Sequence, residues 1–155
     1  MQTFAHVDKG GFMSIVLITF AALMFGLYNV FIKLSAGHIN AVLGAVVLQF
    51  VAAFLGLALL LYQQAGSSEP LAFNRTGVGL AIGAGVAIGL VEILTFVIYG
   101  RGVPVAVGNP LIVGGSLVVT TLVGMVLLKE GASLTQIGAV TMIIAGVFAL
   151  AWEAA

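Results

Sequence analysis

Five runs of about 20 apolar residues follow one another along this chain, and they constrain its fold more than any other feature. As a helix, about 20 apolar residues cross the hydrocarbon core of a bilayer. Only 6% of the 155 residues are charged, whereas soluble domains carry roughly 25%, so lipid must surround most of the chain. The runs predict an all-α integral membrane protein with five transmembrane helices, at about 12–35, 40–62, 77–100, 103–128 and 134–152.

A transmembrane β-barrel does not fit these runs, because barrel strands alternate apolar and polar residues over about 10 positions. The first run is also longer than the core of a signal peptide, which spans roughly 7–15 residues, so we expect it to be retained as a span. A chain of 155 residues is short for more than one domain. We therefore expect a single membrane domain over 1–155, multi-pass in the inner (plasma) membrane.

Composition also limits the chemistry. The chain has no cysteine and a formal net charge of zero, so it offers no thiolate and no basic surface for nucleic acid. Its two histidines lack metal-ligand spacing, and no nucleophile–base pair or phosphate-binding loop is present. We expect no enzyme activity, no metal and no cofactor, with the lipid bilayer and a small-molecule substrate as partners.

The positive charges give almost no preferred orientation. With five spans, Lys9, Arg75 and Lys129 lie on one side of the membrane, called side A, and Lys33 and Arg101 lie on the other, side B. Orientation normally follows an excess of Lys and Arg on the cytoplasmic side. So weak a bias predicts insertion in both orientations and an antiparallel homodimer in which each copy is one inverted repeat. The alternative is a single orientation, set by a partner or by Lys9.

Four polar residues lie at a similar depth in four different spans. Asn29, Gln49, Glu92 and Asn109 are each about six to nine residues from the side B end of their span. At 1.5 Å of rise per residue, their depths agree to within roughly 5 Å. The coincidence predicts a polar layer toward side B, in which these four residues bind substrate.

Glu92 is the strongest candidate in this layer, since a charge near the bilayer centre costs about 2.5–3.5 kcal/mol on insertion scales. Gly85, Gly89 and Glu92 follow at i, i+4 and i+7 and so share one helix face. Glu92 is either a neutral, hydrogen-bonded structural acid or a group that couples to a proton or a cation, and its position favours the second. Lys33 is either its ion partner or, since it lies near its helix end, a side chain that reaches to the interface.

Pro110 follows Asn109 directly and removes one backbone hydrogen bond, which frees the carbonyl of Ala106. In lipid, such groups persist only where protein or water satisfies them. The segment predicts a distorted helix beside a cavity, with a purely structural kink as the alternative.

The last third of the chain resembles the end of the repeat unit in the drug/metabolite transporter superfamily. In "LLKEGASLTQIGAVTMIIAGVFAL" (127–150), Glu130 matches an acidic turn and the "GAVTMIIAGV" segment matches the final helix. "IKLSAG" (32–37) is similar to the end of the first helix in small multidrug resistance transporters. Five spans match one half of the ten-span members, an EamA-type repeat. The coupling glutamate of the small transporters is replaced here by Phe25, so that role does not carry over.

The resemblance implies a secondary transporter that moves a small organic metabolite or drug-like solute by alternating access. Two other roles remain open for a chain of this kind. One is a structural or regulatory membrane subunit that docks a larger partner, and the other is a subunit of a lipid-linked-sugar flippase.

Overall fold

The computed structural model describes residues 9–66, 71, 73–129, 131 and 133–153, and within them it shows five helices and no strand. Each helix is long and apolar enough to cross a membrane. All ten boundaries lie within three residues of those expected from the sequence, so the predicted five-helix fold is confirmed. The helices are α1 Lys9–Ser35, α2 Ala41–Ala65, α3 Arg75–Gly100, α4 Val105–Val126 and α5 Leu134–Glu153.

Three of the helices begin at side chains that satisfy their first free N–H groups. The Oδ1 atom of Asn40 accepts from the second and third following N–H groups of α2, at 2.9 and 3.3 Å. Asn74 caps α3 in the same way. At α5 the cap is reciprocal, because the Ser133 N–H donates to Gln136 Oε1 at 2.8 Å and the Gln136 N–H donates to Ser133 Oγ at 3.2 Å. Such caps favour a sharp helix start at the membrane surface.

The two connections on side B are short and each depends on one glycine. Residues 36–40 join α1 to α2, and 101–104 join α3 to α4. Gly37 has a φ of +88° and Gly102 a φ of +95°, a conformation that glycine adopts without steric strain. These tight turns hold the side B ends of α1 to α4 close together.

Packing within the chain is concentrated on side B. Helix α2 packs along α3, α4 packs along α5, and α1 contacts both α3 and α4. Most of the buried residues lie in the side B halves of α1 to α4. They are Asn29, Ile32, Gly44, Ala45, Glu92, Thr95, Phe96, Tyr99 and Gly108.

The side A halves of the first three helices are open. Every residue of 11–27, 50–63 and 75–88 is exposed. Among the described atoms, a side chain added at Gly85 would meet nothing within 4 Å, whereas one at Gly89 would touch Gln49. The glycine face of α3 therefore enters the bundle only at its side B end, and lipid or another protein must cover the rest.

Helices α4 and α5 approach most closely at Gly114. A Cβ atom there would lie 2.0 Å from Val147 Cγ2, far inside van der Waals contact, whereas one at the neighbouring Gly115 meets no described atom within 4 Å. Because Val147 is β-branched, its side chain has few other rotamers within a helix. Gly114 is thus required by the α4–α5 contact.

We expect Gly114→Ala to destabilise the protein by about 1–3 kcal/mol, the usual effect of overpacking. Gly115→Ala is the matched control, and it should hold or raise stability because alanine favours helix by roughly 1 kcal/mol over glycine. Thermal unfolding in detergent micelles measures both. Adding Val147→Ala to Gly114→Ala should restore stability, and equal melting temperatures for the two single variants would disprove the contact.

Candidate functional site

Glu92 lies between α3 and α1 and is almost fully buried, with 3% of its surface exposed. Its Oε1 atom accepts a hydrogen bond from the hydroxyl of Tyr28 on α1. Its Oε2 atom is also buried and has no hydrogen-bond partner among the described residues. Buried side-chain oxygens are normally satisfied, so a half-satisfied carboxyl needs an explanation.

A second hydrogen bond joins the same two helices one turn closer to side B. The hydroxyl of Tyr99 donates to Asn29 Oδ1 at 3.3 Å, and Asn29 Nδ2 donates to the carbonyl of Phe25 at 2.9 Å. Asn29 and Tyr99 are 3% and 2% exposed. Both polar side chains are therefore held inside the chain rather than facing lipid.

Lys33 completes the contact at the side B end of α3. Its Nζ donates to the carbonyls of Tyr99 and Val103, at 3.1 and 2.9 Å, and lies 5.8 Å from the centre of the Tyr99 ring. The last carbonyls of a helix lack helical donors and attract cations. Lys33 thus caps α3 from α1, and its ammonium is used here instead of pairing with Glu92.

These five residues form what we call the polar cluster: Tyr28, Asn29, Lys33, Glu92 and Tyr99. On α1, Asn29 and Lys33 are four residues apart, and on α3, Glu92 and Tyr99 are seven apart. Each spacing places its two side chains on one helix face. The cluster is therefore a seam of polar contacts along which α1 lies on α3.

A groove of about 460 Å³ runs along this seam toward side A. Phe25 and Tyr28 stack in its wall, with ring centres 5.5 Å apart and planes 24° from parallel. Met24 and Ile88 are 43% and 50% exposed, so the groove is open along its length. Its lining consists of Ala21, Met24, Phe25, Tyr28, Ile88 and Glu92.

A second groove, of about 530 Å³, lies between α1 and α2, and Tyr28 lines it as well. Its walls are almost entirely apolar, with Phe96 at its base and Ser35 at its side B end. Tyr28 therefore lines both grooves, and its hydroxyl is bonded to Glu92.

The structure brings two of the four predicted substrate-binding residues, Asn29 and Glu92, into the polar cluster. Gln49 is half-buried on α2, and its Nε2 lies 3.4 Å from where a Cβ on Gly89 would stand, one turn from Glu92. Asn109 is half-buried on α4, beside Gly108.

A Cβ on Gly108 would lie 2.8 Å from Tyr99 Cε1, so α4 approaches the polar cluster next to Asn109. The four residues lie on four helices, and the described contacts bring Asn29 and Glu92 into the polar cluster. Their role in binding substrate stays a prediction.

Pro110 does not break its helix. Helix α4 runs without interruption from Val105 to Val126 and contains Pro110 in its second turn. The proline nitrogen has no hydrogen to donate to the Ala106 carbonyl, and the distortion beside a cavity stays a prediction.

Sequence reasoning missed both tyrosines of the cluster, Tyr28 and Tyr99. A usable signal was present, because a phenol within an apolar span needs a hydrogen-bond partner. Tyr28 precedes Asn29, and Tyr99 follows Glu92 by two helical turns. Pairing each buried hydroxyl with the nearest polar residue of another span would have nominated them.

No family model, curated protein or solved structure matches the chain. The resemblance of 127–150 to the drug/metabolite transporter superfamily thus stays a prediction, and its Glu130 lies outside the described residues.

Removing the Tyr28 hydroxyl measures how much its hydrogen bond to the Glu92 carboxyl contributes to the stability of the protein. In Tyr28→Phe, Glu92 loses the one donor that the described residues supply, and an unsatisfied buried group costs about 1–3 kcal/mol. We expect a loss of stability of that size on thermal unfolding in micelles. Tyr62→Phe is the matched control, because Tyr62 is 80% exposed and should change little. If the two variants melt alike, the Tyr28–Glu92 bond contributes nothing.

Proposed function

We propose that this protein is a secondary transporter of a small organic solute, working by alternating access as an antiparallel homodimer in the plasma membrane. The observation that carries the proposal is the half-satisfied carboxyl of Glu92 on the wall of an open groove. Asn29, Gln49 and Asn109 would add hydrogen bonds to the solute, and Glu92 would hold a proton or a cation.

A purely structural role explains the surroundings of Glu92 less well than a ligand-binding role does. Inside an apolar bundle, a polar network stabilises the fold only when each member is satisfied, and Glu92 Oε2 has no partner in the part of the chain that the structure describes. Ionisable groups within spans mark substrate, ion or proton pathways by default. The second oxygen is therefore best explained as a place for a ligand.

Two features support a second, opposed copy. The side A halves of α1, α2 and α3 are exposed along 11–27, 50–63 and 75–88, whereas their side B halves pack together. The positive charges divide three to two between the sides, which allows both orientations. In a pair of opposed copies, each face of the membrane would hold the packed side B half of one copy and the open side A half of the other. Inverted repeats in transporters have this arrangement.

The polar cluster supplies a way for ligand binding to change the shape of the bundle. On side B, α1 is held to α3 by Tyr28, Asn29 and Lys33. A solute that bonds to the Glu92 carboxyl competes with the Tyr28 hydroxyl. By favouring the state in which α1 and α3 are apart, such a solute would shift the population toward opening on side B.

The rival proposal is a docking role, as a structural subunit or as part of a lipid-linked-sugar flippase. This proposal is favoured by α5, which packs on α4. None of the residues in the most apolar stretch of α5 is buried within the described structure. A larger partner would cover that helix, and the chain would then take one orientation.

A tag at the C-terminus distinguishes the two roles. For the opposed dimer, we expect a reporter active only in the cytoplasm and one active only outside it to give comparable signals on the same fusion site. Adding two lysines to the 101–104 turn should shift the signals toward one orientation. A signal from one side only, in the unaltered chain, would rule out dual topology.

Transport itself is tested with Glu92→Gln in proteoliposomes. The solute is first chosen by thermal shift from a panel of cationic, amino-acid and nucleobase compounds, because a ligand of the native state raises the melting temperature. We expect Glu92→Gln to lower its flux by about tenfold or more, equal to 1.4 kcal/mol. Glutamine keeps the size and an acceptor for Tyr28 but cannot carry the charge.

Thr95→Val is the matched control for that experiment. Thr95 is equally buried on the same face of α3, but its hydroxyl donates to its own helix at the Val91 carbonyl. Its flux should stay near that of the wild type. Undiminished flux in Glu92→Gln would remove Glu92 from the mechanism.

A further inference from the structure

We infer that the groove between α1 and α3 binds amines that carry an N–H, and that it discriminates against quaternary ammonium ions and neutral acceptors. The inference rests on the proposed function, since it names the class of solute for the same site. It depends on which hydrogen-bonding capacity the groove leaves unused and on what its walls are made of.

The unused capacity is that of an acceptor. Tyr28 donates its only hydroxyl proton to Glu92 Oε1, so within the groove its oxygen can only accept. Glu92 Oε2 is buried and receives no hydrogen bond from the described residues. While Glu92 is ionised, a ligand that completes the site must therefore bring a donor, and a charged donor bonds to a carboxylate about twice as strongly as a neutral one.

The walls favour a cation with an apolar body. Phe25 and Tyr28, whose rings stack on each other, both line the groove, and the outer face of an aromatic ring can attract an ammonium group. Ala21, Met24 and Ile88 are apolar, and the flexible Met24 can adapt to different shapes. An ammonium beside Glu92 also makes a neutral pair, which avoids the cost of a lone charge in the span.

The volume of the groove limits the size of the ligand. The groove holds about 460 Å³, within the usual range of about 300–1,000 Å³ for small-molecule sites. A volume of this size is large enough for one aromatic ring with a short amine side chain. A quaternary nitrogen brings the same charge to the aromatic walls but no N–H for Oε2, and it would leave that oxygen buried without a bond.

Three compounds of one shape test the inference on the purified full-length protein in micelles. N,N-dimethylbenzylamine is protonated at neutral pH and carries one N–H. Benzyltrimethylammonium carries the charge without an N–H, and N,N-dimethylbenzamide is a neutral acceptor. Isothermal titration should show the amine binding about tenfold or more tightly than either analogue, because a bond to a charged group is lost.

Two variants test whether the preference for an amine with an N–H depends on the Glu92 carboxyl. In Glu92→Gln, the amine should lose at least about tenfold in affinity and the discrimination against benzyltrimethylammonium should largely disappear. Thr95→Val should keep both the affinity and the discrimination. Unfolding without ligand confirms that each variant is folded before its binding is compared.

Several outcomes would overturn the inference. Equal binding of the amine and its quaternary analogue would show that charge alone is recognised, and tighter binding of the benzamide would show that the site donates. Absence of amine binding to folded wild-type protein would refute it outright.

Flux into proteoliposomes tests the transport proposal independently of the binding experiment. Amine binding without flux would contradict the transporter while the site stands, and flux of another solute without amine binding would contradict the site alone.

Discussion

The hydrogen bond between Tyr28 and Glu92 is the interaction on which the rest of the site depends. Lipid tails offer no hydrogen bonds, so a polar side chain within a span needs a partner from the protein, from a water-filled cavity or from a ligand. Glu92 obtains its one donor among the described residues from α1, which requires α1 to lie against α3. Asn29 with Tyr99, and Lys33 with the end of α3, extend the same contact toward side B.

The polar cluster lies in the side B halves of the helices, where the bundle is packed, and the side A halves of α1 to α3 are exposed. Packing gains little from apolar side chains alone in lipid, because lipid tails are as apolar as leucine. Helices α1 to α4 pack at the end that carries the polar cluster, the small residues Gly44 and Ala45 packed near Phe96, and the tight turns at Gly37 and Gly102. Their side A halves, which carry fewer such groups, stay exposed. Under the proposed transport function, a cluster that breaks and reforms would give this asymmetry a use.

The sequence predicts the helices well and the site in part. Length and hydropathy are enough to locate all five helices, because each run must cross the same hydrocarbon thickness. Counting from the helix ends also places Asn29 and Glu92 at similar depth, and the structure brings them into one cluster. Depth, however, does not define direction around a helix axis. Gln49 and Asn109 share that depth, yet they lie beside the cluster rather than in it.

The tyrosines and Lys33 were harder to predict for a physical reason. Their roles arise from pairs of residues 64 to 70 positions apart, and such pairing depends on how α1 crosses α3, which periodicity within one helix does not determine. Lys33 illustrates the point, because its ammonium donates to the carbonyl of Tyr99 at the end of α3 and to that of Val103 in the following turn, rather than to Glu92. Helix ends on neighbouring segments are therefore partners to consider when a charge lies near a span's end.

Infrared spectroscopy of the Glu92 carboxyl tests the central claim most directly. Subtracting the spectrum of Glu92→Gln from that of the wild type isolates the band of this group in native membranes. We predict that the band shifts when Tyr28 is replaced by Phe, since its hydrogen-bond donor is gone, and stays in place when Tyr62 is replaced. A band unchanged in Tyr28→Phe would contradict the account, because Glu92 would not then be held by α1.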